Sequence, residues 1–342
     1  MKKLPRCYFY NTLADLSPLI RKRLVTPATI SHEPLTIKNA PRLAEAIAIF
    51  VDSKINKQLL ATMPRLKLIT TMSTGFDHID LAETKKRSIT VCNVPTYGEN
   101  TVAEHTMALI LAISRKLFLS VKRVKEGVFD YHDMRGFDLA GKTVGVIGTG
   151  HIGKNVIQML GGFNMRIIAY DPFPDRAFAK KTGVSYMPLS KLLSQSDIIT
   201  LHTPLLPSTY HLINKKTIKK IKRGAHIVNT ARGGLIDPEA LLLGLETGHI
   251  AGAGLDVLEK EEFIKHPEEL LLADGKKTTG RDAMENTKVS LFNNILIDHP
   301  KVIVTPHNAF NSVEAVERIF AVTIDNINAF MNGRTQNVLI NK

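Results

Sequence analysis

Arg232, Glu261 and His307 are the residues of this sequence whose types and settings suit chemistry on a small organic anion. Arginine stays charged, and its planar fork grips a carboxylate through two parallel N–H bonds. Arg232, in Asn229-Thr-Ala-Arg232-Gly-Gly, can therefore hold a carboxylate and polarise a carbonyl beside it. An imidazole near neutral pH can give a proton to a carbonyl oxygen and take it back, which suits His307 in Val304-Thr-Pro-His307-Asn308. Such an imidazole needs a carboxylate behind it to fix its tautomer, and Asp256 and Glu261, which follow one apolar run closely, can each supply one. The combination fits reduction of a 2-oxo acid and its reversal. That chemistry needs a hydride carrier.

The carrier's place is Gly145-Val-Ile-Gly148-Thr-Gly150-His151-Ile152-Gly153-Lys154. An apolar run ends in G-x-G-x-x-G and passes into helical periodicity, the strand, turn and helix of a dinucleotide-binding unit. Gly148 permits the tight turn, Gly150 lets backbone approach a pyrophosphate, and Gly153 lets helix and strand pack closely. Asp171 follows Gly153 by 18 residues, at the end of the next apolar run, where a carboxylate accepts hydrogen bonds from the adenosine ribose. It would repel a 2′-phosphate. NAD is the expected cofactor, with Arg176 nearby leaving some tolerance of NADP. Apolar runs at 143–147, 165–170, 197–201, 225–228 and 250–255 alternate with helical stretches at 151–160, 189–195, 215–221 and 238–245, which predicts a doubly wound parallel sheet. In such a sheet the strand ends share one edge, where ligands bind. The cofactor contacts expected there are Gly148, Gly150, His151, Ile152 and Gly153, then Asp171, then His202, Thr203 and Pro204, then Thr230, Ala231 and Arg232, and finally Asp256.

Before this series, runs at 6–10, 47–51, 66–72 and 89–94 alternate with helical segments and predict a smaller parallel sheet, with the turn Ser73-Thr74-Gly75 after its third strand. Thr101 to Lys116 is apolar on most sides, so a helix there must be buried, clamped between domains or between subunits. Residues 259–294 read as an elaborated loop with helical pieces, carrying an apolar cluster at 270–272 and a polar stretch at 275–281. Val302–Val304 adds a strand, and 313–331 a closing helix that returns to the first domain. The expected organisation is residues 1–98, a first part of the substrate domain; 99–299, the Rossmann-type domain; and 300–342, the return segment. Length agrees: 342 residues exceed one average core.

Composition excludes several classes. Hydrophobic residues at 44% and charged residues at 23% suit a globular chain rather than a disordered one. The longest apolar run, Met107 to Ile113, is far short of a membrane span, and the N-terminal stretch lacks the apolar core of a signal peptide, so a cytoplasmic protein with no membrane partner is expected. Cys7 and Cys92 lie in separate strand-like runs and read as reduced, buried thiols, and the histidines fall in no metal-binding spacing, so no metal is expected. The formal charge of +13 could suit a polyanion. The densest basic segment, 215–223, has no aromatic residue for base stacking and reads as a solvated helix face, so no nucleic acid is expected.

The sequence resembles the D-isomer-specific 2-hydroxyacid dehydrogenases, and within them the D-lactate dehydrogenase branch. The resemblance rests on STGFDHID (73–80), NVPTYGENTVAEHT (93–106), VGVIGTGHIGK (144–154), YDPF (170–173), VNTARGGLID (228–237), GLDVLEKEE (254–262) and VTPHNAF (304–310). It implies that Arg232 binds substrate, His307 is the acid and base, Glu261 is its carboxylate partner and Asp256 supports the site. It also implies a smaller flavodoxin-like α/β substrate domain formed by both chain ends, with the backbone of Ser73, Thr74 and Gly75 receiving the substrate carboxylate and Tyr97 beside the substrate. Met72 departs from the pattern, standing where arginine is often expected. A homodimer through the nucleotide domain is implied. Closure about hinges near Gly98 and His299 is expected to exclude water and bring Arg232 and the 73–75 turn together. The expected reaction is NAD-dependent interconversion of pyruvate and D-lactate. Glyoxylate, hydroxypyruvate, branched or phosphorylated acids are alternative substrates, and a corepressor-like NAD-sensing protein is an alternative role.

Overall fold

The computed structural model describes residues 7–12, 16–268, 270 and 280–339. The chain divides into two compact units, residues 1–98 with 311–342 and residues 99–310. In the first, β1 (Cys7–Phe9), β2 (Ala28–Ile30), β3 (Ala46–Ile49), β4 (Leu68–Thr71) and β5 (Thr90–Cys92) form a parallel sheet in the order β2-β1-β3-β4-β5. Every residue of β3 and β4 is buried, as a parallel sheet covered on both faces requires. The sequence predicts four strands here. The fifth, β2, is a three-residue edge strand with no buried residue, too short to show periodicity. The helix Val313–Met331 belongs to this unit, and its buried Asn326 bonds the Asn93 carbonyl at 3.0 Å and Thr70 Oγ1 at 3.3 Å.

The second unit holds β6 (Thr143–Ile147), β7 (Arg166–Tyr170), β8 (Ser185–Tyr186), β9 (Ile198–Leu201), β10 (Ala225–Asn229), β11 (Ile250–Leu255) and β12 (Val302–Val304), parallel throughout, in the order β12-β11-β10-β9-β6-β7-β8. The chain enters at β6, builds outward through β7 and β8, then resumes on the other side of β6 with β9. Strand order therefore reverses between β6 and β9, the switch point where open sheets leave a crevice. One expectation is corrected at β12. It pairs with β11 through Ala253↔Val302, Gly254↔Ile303 and Leu255↔Val304, so this β-branched run extends the second sheet. The chain crosses back to the first unit at 310/311 rather than near His299.

Three other expectations change. The helix Glu99–Ser114 is buried along most of its length against the helix His151–Leu160 and strands β10 and β11 of its own unit, which cover most of its apolar surface and leave Leu111 exposed. Gly254 permits this contact, since a Cβ there would crowd Leu109 and Ile113. The basic stretch 215–221 forms only a 3₁₀ turn at Ile218–Lys220. Asn214 Oδ1 accepts from the amides of Lys216 and Thr217, Thr217 Oγ1 donates to the Leu212 carbonyl at 2.8 Å, and these local bonds compete with a helix. Within 259–294, a short helix at Glu262–Lys265 precedes a 19-residue helix, Gly280–Asp298. Of the apolar cluster expected at 270–272 and the polar stretch expected at 275–281, residues 271, 272 and 275–279 lie outside the described residues.

Candidate active site

One register row, Val304–Leu255–Asn229–Leu201–Ile147–Tyr170, crosses six strands of the larger sheet. The residues expected to do chemistry begin at the next position of each strand: Thr305, Asp256, Thr230, His202, Gly148 and Asp171. The common edge follows from parallel pairing, because every strand of the row ends in the same direction.

At the switch point Gly148 has φ +91°, and a Cβ there would fall 2.7 Å from the His202 carbonyl group, so turn and neighbouring strand end touch backbone to backbone. A Cβ on Gly153 would overlap the Gly148 carbonyl oxygen. Gly150 differs. A Cβ on it meets nothing within 4 Å, and it begins the helix His151–Leu160 with no side chain capping the first turn. Bare backbone at an uncapped helix start, beside open space, fits a pyrophosphate. Asp171 Oδ2 accepts from the amide (2.7 Å) and hydroxyl (2.9 Å) of Thr149, and Oδ1 from the Phe173 amide at 2.9 Å. The carboxylate is thus fixed to the glycine turn and keeps a lone pair on Oδ1 for a ribose hydroxyl. These residues fit NAD.

His202 is neutral, because desolvation pushes its imidazole down to about 3, and its Nε2 lies 2.8 Å from Thr200 Oγ1. Thr230 is buried, with Oγ1 2.8 Å from Thr106 Oγ1, so its hydroxyl is engaged by the helix Glu99–Ser114. His151 is exposed, with Nδ1 3.5 Å from Glu99 Oε1, and Ile152 packs against the core beneath the turn. Thr203, Pro204 and Ala231 lie at the same edge, on the loops after β9 and β10.

Arg232 is aimed by its loop. Asn229 Oδ1 accepts from the Ala231 amide at 3.0 Å while Asn229 Nδ2 donates to the Arg232 carbonyl at 2.9 Å, which closes the turn. Arg232 Nη1 donates to the Ala231 carbonyl at 2.8 Å. Two strands away, His307 Nδ1 lies 2.5 Å from Glu261 Oε1, so of the two carboxylates open to that role Glu261 takes it. Asp256 does something else. Its buried carboxylate accepts from Thr305 Oγ1 (2.5 Å) and from the amides of Asn308 (3.0 Å) and Ala309 (2.9 Å), gripping the loop on both sides of His307. Burial alone would raise the Asp256 pKa, but bonds from His105, Thr305 and these amides outweigh it and hold the group below the usual carboxylate range. His307 itself has φ +51°, a left-handed conformation costly for a branched side chain but tolerated by histidine.

Sequence reasoning missed His105. Its Nε2 is 3.1 Å from Thr305 Oγ1 and 3.4 Å from Asp256 Oδ1, a third hold on the histidine loop. The available signal was an ionisable residue inside an otherwise apolar helix. In the first unit, the hydroxyls of the expected substrate turn shape the turn itself: Ser73 Oγ donates to the Gly75 carbonyl at 2.6 Å and Thr74 Oγ1 to the Val94 carbonyl at 2.9 Å. What it can offer an anion is backbone. Tyr97 is half-buried, its carbonyl held by Arg318 Nε at 2.7 Å, and Met72 is fully buried, so its side chain serves the core. Among the described residues no group of three or more histidines, cysteines or acids could hold a metal, and no helix is long and apolar enough to cross a membrane.

Comparison with known proteins gives the family. Residues 107–309 match the family described as D-isomer specific 2-hydroxyacid dehydrogenase, NAD binding domain. The chain is 35% identical over 293 residues to a D-lactate dehydrogenase of Escherichia coli, covering 85% of this chain and 84% of that one. It is 37% identical over 301 residues to a glycerate dehydrogenase of Methylorubrum extorquens, covering 86% and 85%. Among solved structures, a D-lactate dehydrogenase from Aquifex aeolicus complexed with NAD and lactic acid superposes with a TM-score of 0.83 at 35% identity, covering 96% of each chain.

Proposed function

The chain belongs to the D-isomer-specific 2-hydroxyacid dehydrogenase family, NAD-dependent oxidoreductases acting on CH–OH groups, and from that premise we propose that it interconverts pyruvate and D-lactate. The observation that carries the proposal is the His307–Glu261 bond beside the strand-end site of Arg232. Bound NADH supplies the hydride, and NAD⁺ accepts it in the reverse direction. Arg232 holds the substrate carboxylate by its fork and draws electron density from the adjacent carbonyl. Glu261 accepts the Nδ1–H of His307 and so fixes the tautomer, leaving Nε2 as the atom that gives its proton to the carbonyl oxygen during reduction and removes the hydroxyl proton during oxidation. The positive charge that comes and goes on the ring is matched by Glu261. The backbone of Ser73, Thr74 and Gly75 remains the proposed further contact for the carboxylate, and Tyr97 a proposed neighbour of the substrate.

Similarity to D-lactate dehydrogenases supports a small substrate, while the glycerate dehydrogenase relative makes hydroxypyruvate the main competitor. Steady-state kinetics with NADH on pyruvate, hydroxypyruvate, glyoxylate and 2-oxoisovalerate decide between them. Pyruvate is expected to give the highest kcat/KM, by about tenfold over the branched acid, since one or two methyl groups in a shaped pocket are worth about that much. A higher value for any other acid replaces the substrate.

We also propose a homodimer, through a different surface from the helix the sequence points to. Helix Leu117–Lys125 buries none of its residues, and Leu117, Phe118, Val121 and Val124 repeat at helical spacing on its exposed side. Phe129 and Tyr131 follow at 95% and 81% exposure. An apolar patch of this kind on a monomer marks an interface, and a twofold dimer would bury it isologously. Light scattering behind size exclusion is expected to give twice the 37.9 kDa chain mass for the wild type and a monomer for Phe118→Glu/Val121→Glu. A monomeric wild type at micromolar concentration removes the dimer.

A further inference from the structure

A cluster of titratable side chains in the second unit, the buried Glu259 with the partly exposed His211 and the exposed Tyr210, has no part in the chemistry described so far. Glu259 lies between Asp256 and Glu261, and its side chain is 6% exposed. Its carboxylate accepts from Tyr210 Oη at 2.8 Å and lies 2.9 Å from His211 Nε2. The two rings stack with centroids 3.9 Å apart, so a single aromatic pair serves both carboxylate oxygens. Burial alone would raise the Glu259 pKa and lower that of His211, yet the bond between them, with that from Tyr210 to Glu259, carries both the other way, Glu259 down and His211 up, so each favours the charged form of the other. Exposed ion pairs add little and buried ones are poor stabilisers compared with apolar packing of the same shape, so stability is a weak reason for this pair, whose carboxylate is buried and whose imidazole is partly exposed.

The cluster's neighbours suggest a better reason. Glu259 is held at its backbone as well: its carbonyl accepts from Nδ2 of the fully buried Asn293 at 2.7 Å. A Cβ on Gly233 would overlap the Leu258 carbonyl and the Glu259 amide, so the 258–259 backbone presses on the residue that follows Arg232. The chain then turns through Lys260, left-handed at φ +52° and tied by Nζ to Asn286 Oδ1 at 2.7 Å, and delivers Glu261 to His307. His211, at the other end of the cluster, is also left-handed at φ +48°, and its amide bonds the Gly234 carbonyl at 2.8 Å. The side chains of Tyr210, His211 and Glu259 therefore tie together two backbone segments, 258–259 and 211, that both press on the turn carrying Arg232.

We propose that Tyr210, His211 and Glu259 are positioning residues for the reaction, fixing the 258–261 loop so that Glu261 meets His307 Nδ1 and bracing the Arg232 turn through Gly233 and Gly234. This rests on the roles given above to Glu261 and His307.

The test uses the full chain and the best 2-oxo acid of the panel. Glu259→Gln keeps the side-chain shape but removes the charge, and it is expected to lower kcat about tenfold with the NADH dissociation constant unchanged; Tyr210→Phe is expected to lower kcat about threefold. A double-mutant cycle with Glu261→Gln separates positioning from general support of the fold. Acting through Glu261, Glu259→Gln costs less than about twofold once Glu261 has been replaced, whereas a merely structural loss stays the same in both backgrounds. Additive losses, or a single Glu259→Gln variant within about twofold of wild type, overturn the proposal. An unchanged kcat for Glu261→Gln alone overturns the assignment of Glu261 first, and the proposal with it. Should Glu259→Gln fail to fold, Tyr210→Phe, which deletes one hydroxyl, goes through the same cycle with the same two readings.

Discussion

His307→Gln is expected to lower kcat by about 10²- to 10⁴-fold in both directions, the range that a positioned acid and base contributes. The loss corresponds to about 3–5 kcal/mol of transition-state stabilisation. Glutamine can still meet Glu261 with its carboxamide N–H, so the loop keeps a partner at that point, but it cannot hand a proton to a carbonyl oxygen. Three holds on the loop survive the change, because Asp256 grips Thr305, Asn308 and Ala309 rather than residue 307. The substitution does carry a backbone cost, since residue 307 is left-handed at φ +51° and glutamine tolerates that region less well than histidine. Two controls isolate the chemistry: thermal unfolding, expected to move by a few degrees at most, and NADH affinity by fluorescence, expected to be unchanged because the glycine turn lies across the sheet at β6. A variant that keeps a tenth or more of wild-type kcat removes His307 as the proton donor.

The sheet edge was legible because parallel strands write their ends into the sequence in order. Apolar runs at 143–147 and 250–255 coincide with β6 and β11, and the last residues of six strands fall on one register row. Open space at Gly150 and the close contact at Gly153 likewise follow from the glycine spacing. Short edge strands were not legible: β2 and β8, at three and two residues, are formed by the sheet beside them. Nor was the assignment of β12, since a β-branched run says that a strand forms but not which sheet receives it. The helix Glu99–Ser114 shows a further limit. Apolarity on all sides says that a helix is covered, and most of the cover turned out to be its own unit, with Leu111 left exposed, while the exposed stripe on Leu117–Lys125 is weakened in the sequence by interspersed basic residues. Long-range polar partners were the hardest to read. His105 and Asp256 meet across 151 positions, and Tyr210 and Glu259 across 49, with no spacing rule to connect them.

Arg232→Lys is expected to cost about 10²- to 10³-fold in kcat/KM, although the charge is kept. Lysine is a point charge with no fork, so it cannot make two parallel bonds to a carboxylate, and its ammonium stops short of where the guanidinium nitrogens lie. Losing one charge-assisted hydrogen bond and the alignment of the other accounts for about 3–4 kcal/mol. The loss should divide between the two constants in a telling way. Weaker grip on the carboxylate raises KM for the 2-oxo acid, while poorer alignment of the carbonyl towards His307 lowers kcat, because interactions that improve in the transition state appear there. NADH affinity should stay within about twofold if the arginine's main partner is the substrate. The turn should survive, because it is closed by Asn229, whose bonds run to the Ala231 amide and the Arg232 carbonyl and not to the guanidinium. If charge alone held the substrate, Arg232→Lys would keep kcat/KM within about tenfold, and the two-bond grip would have to be given to another group. If NADH affinity fell in step with kcat/KM, Arg232 would belong to the cofactor's site rather than the substrate's, and the strand-end division of labour between β6 and β10 would need to be redrawn.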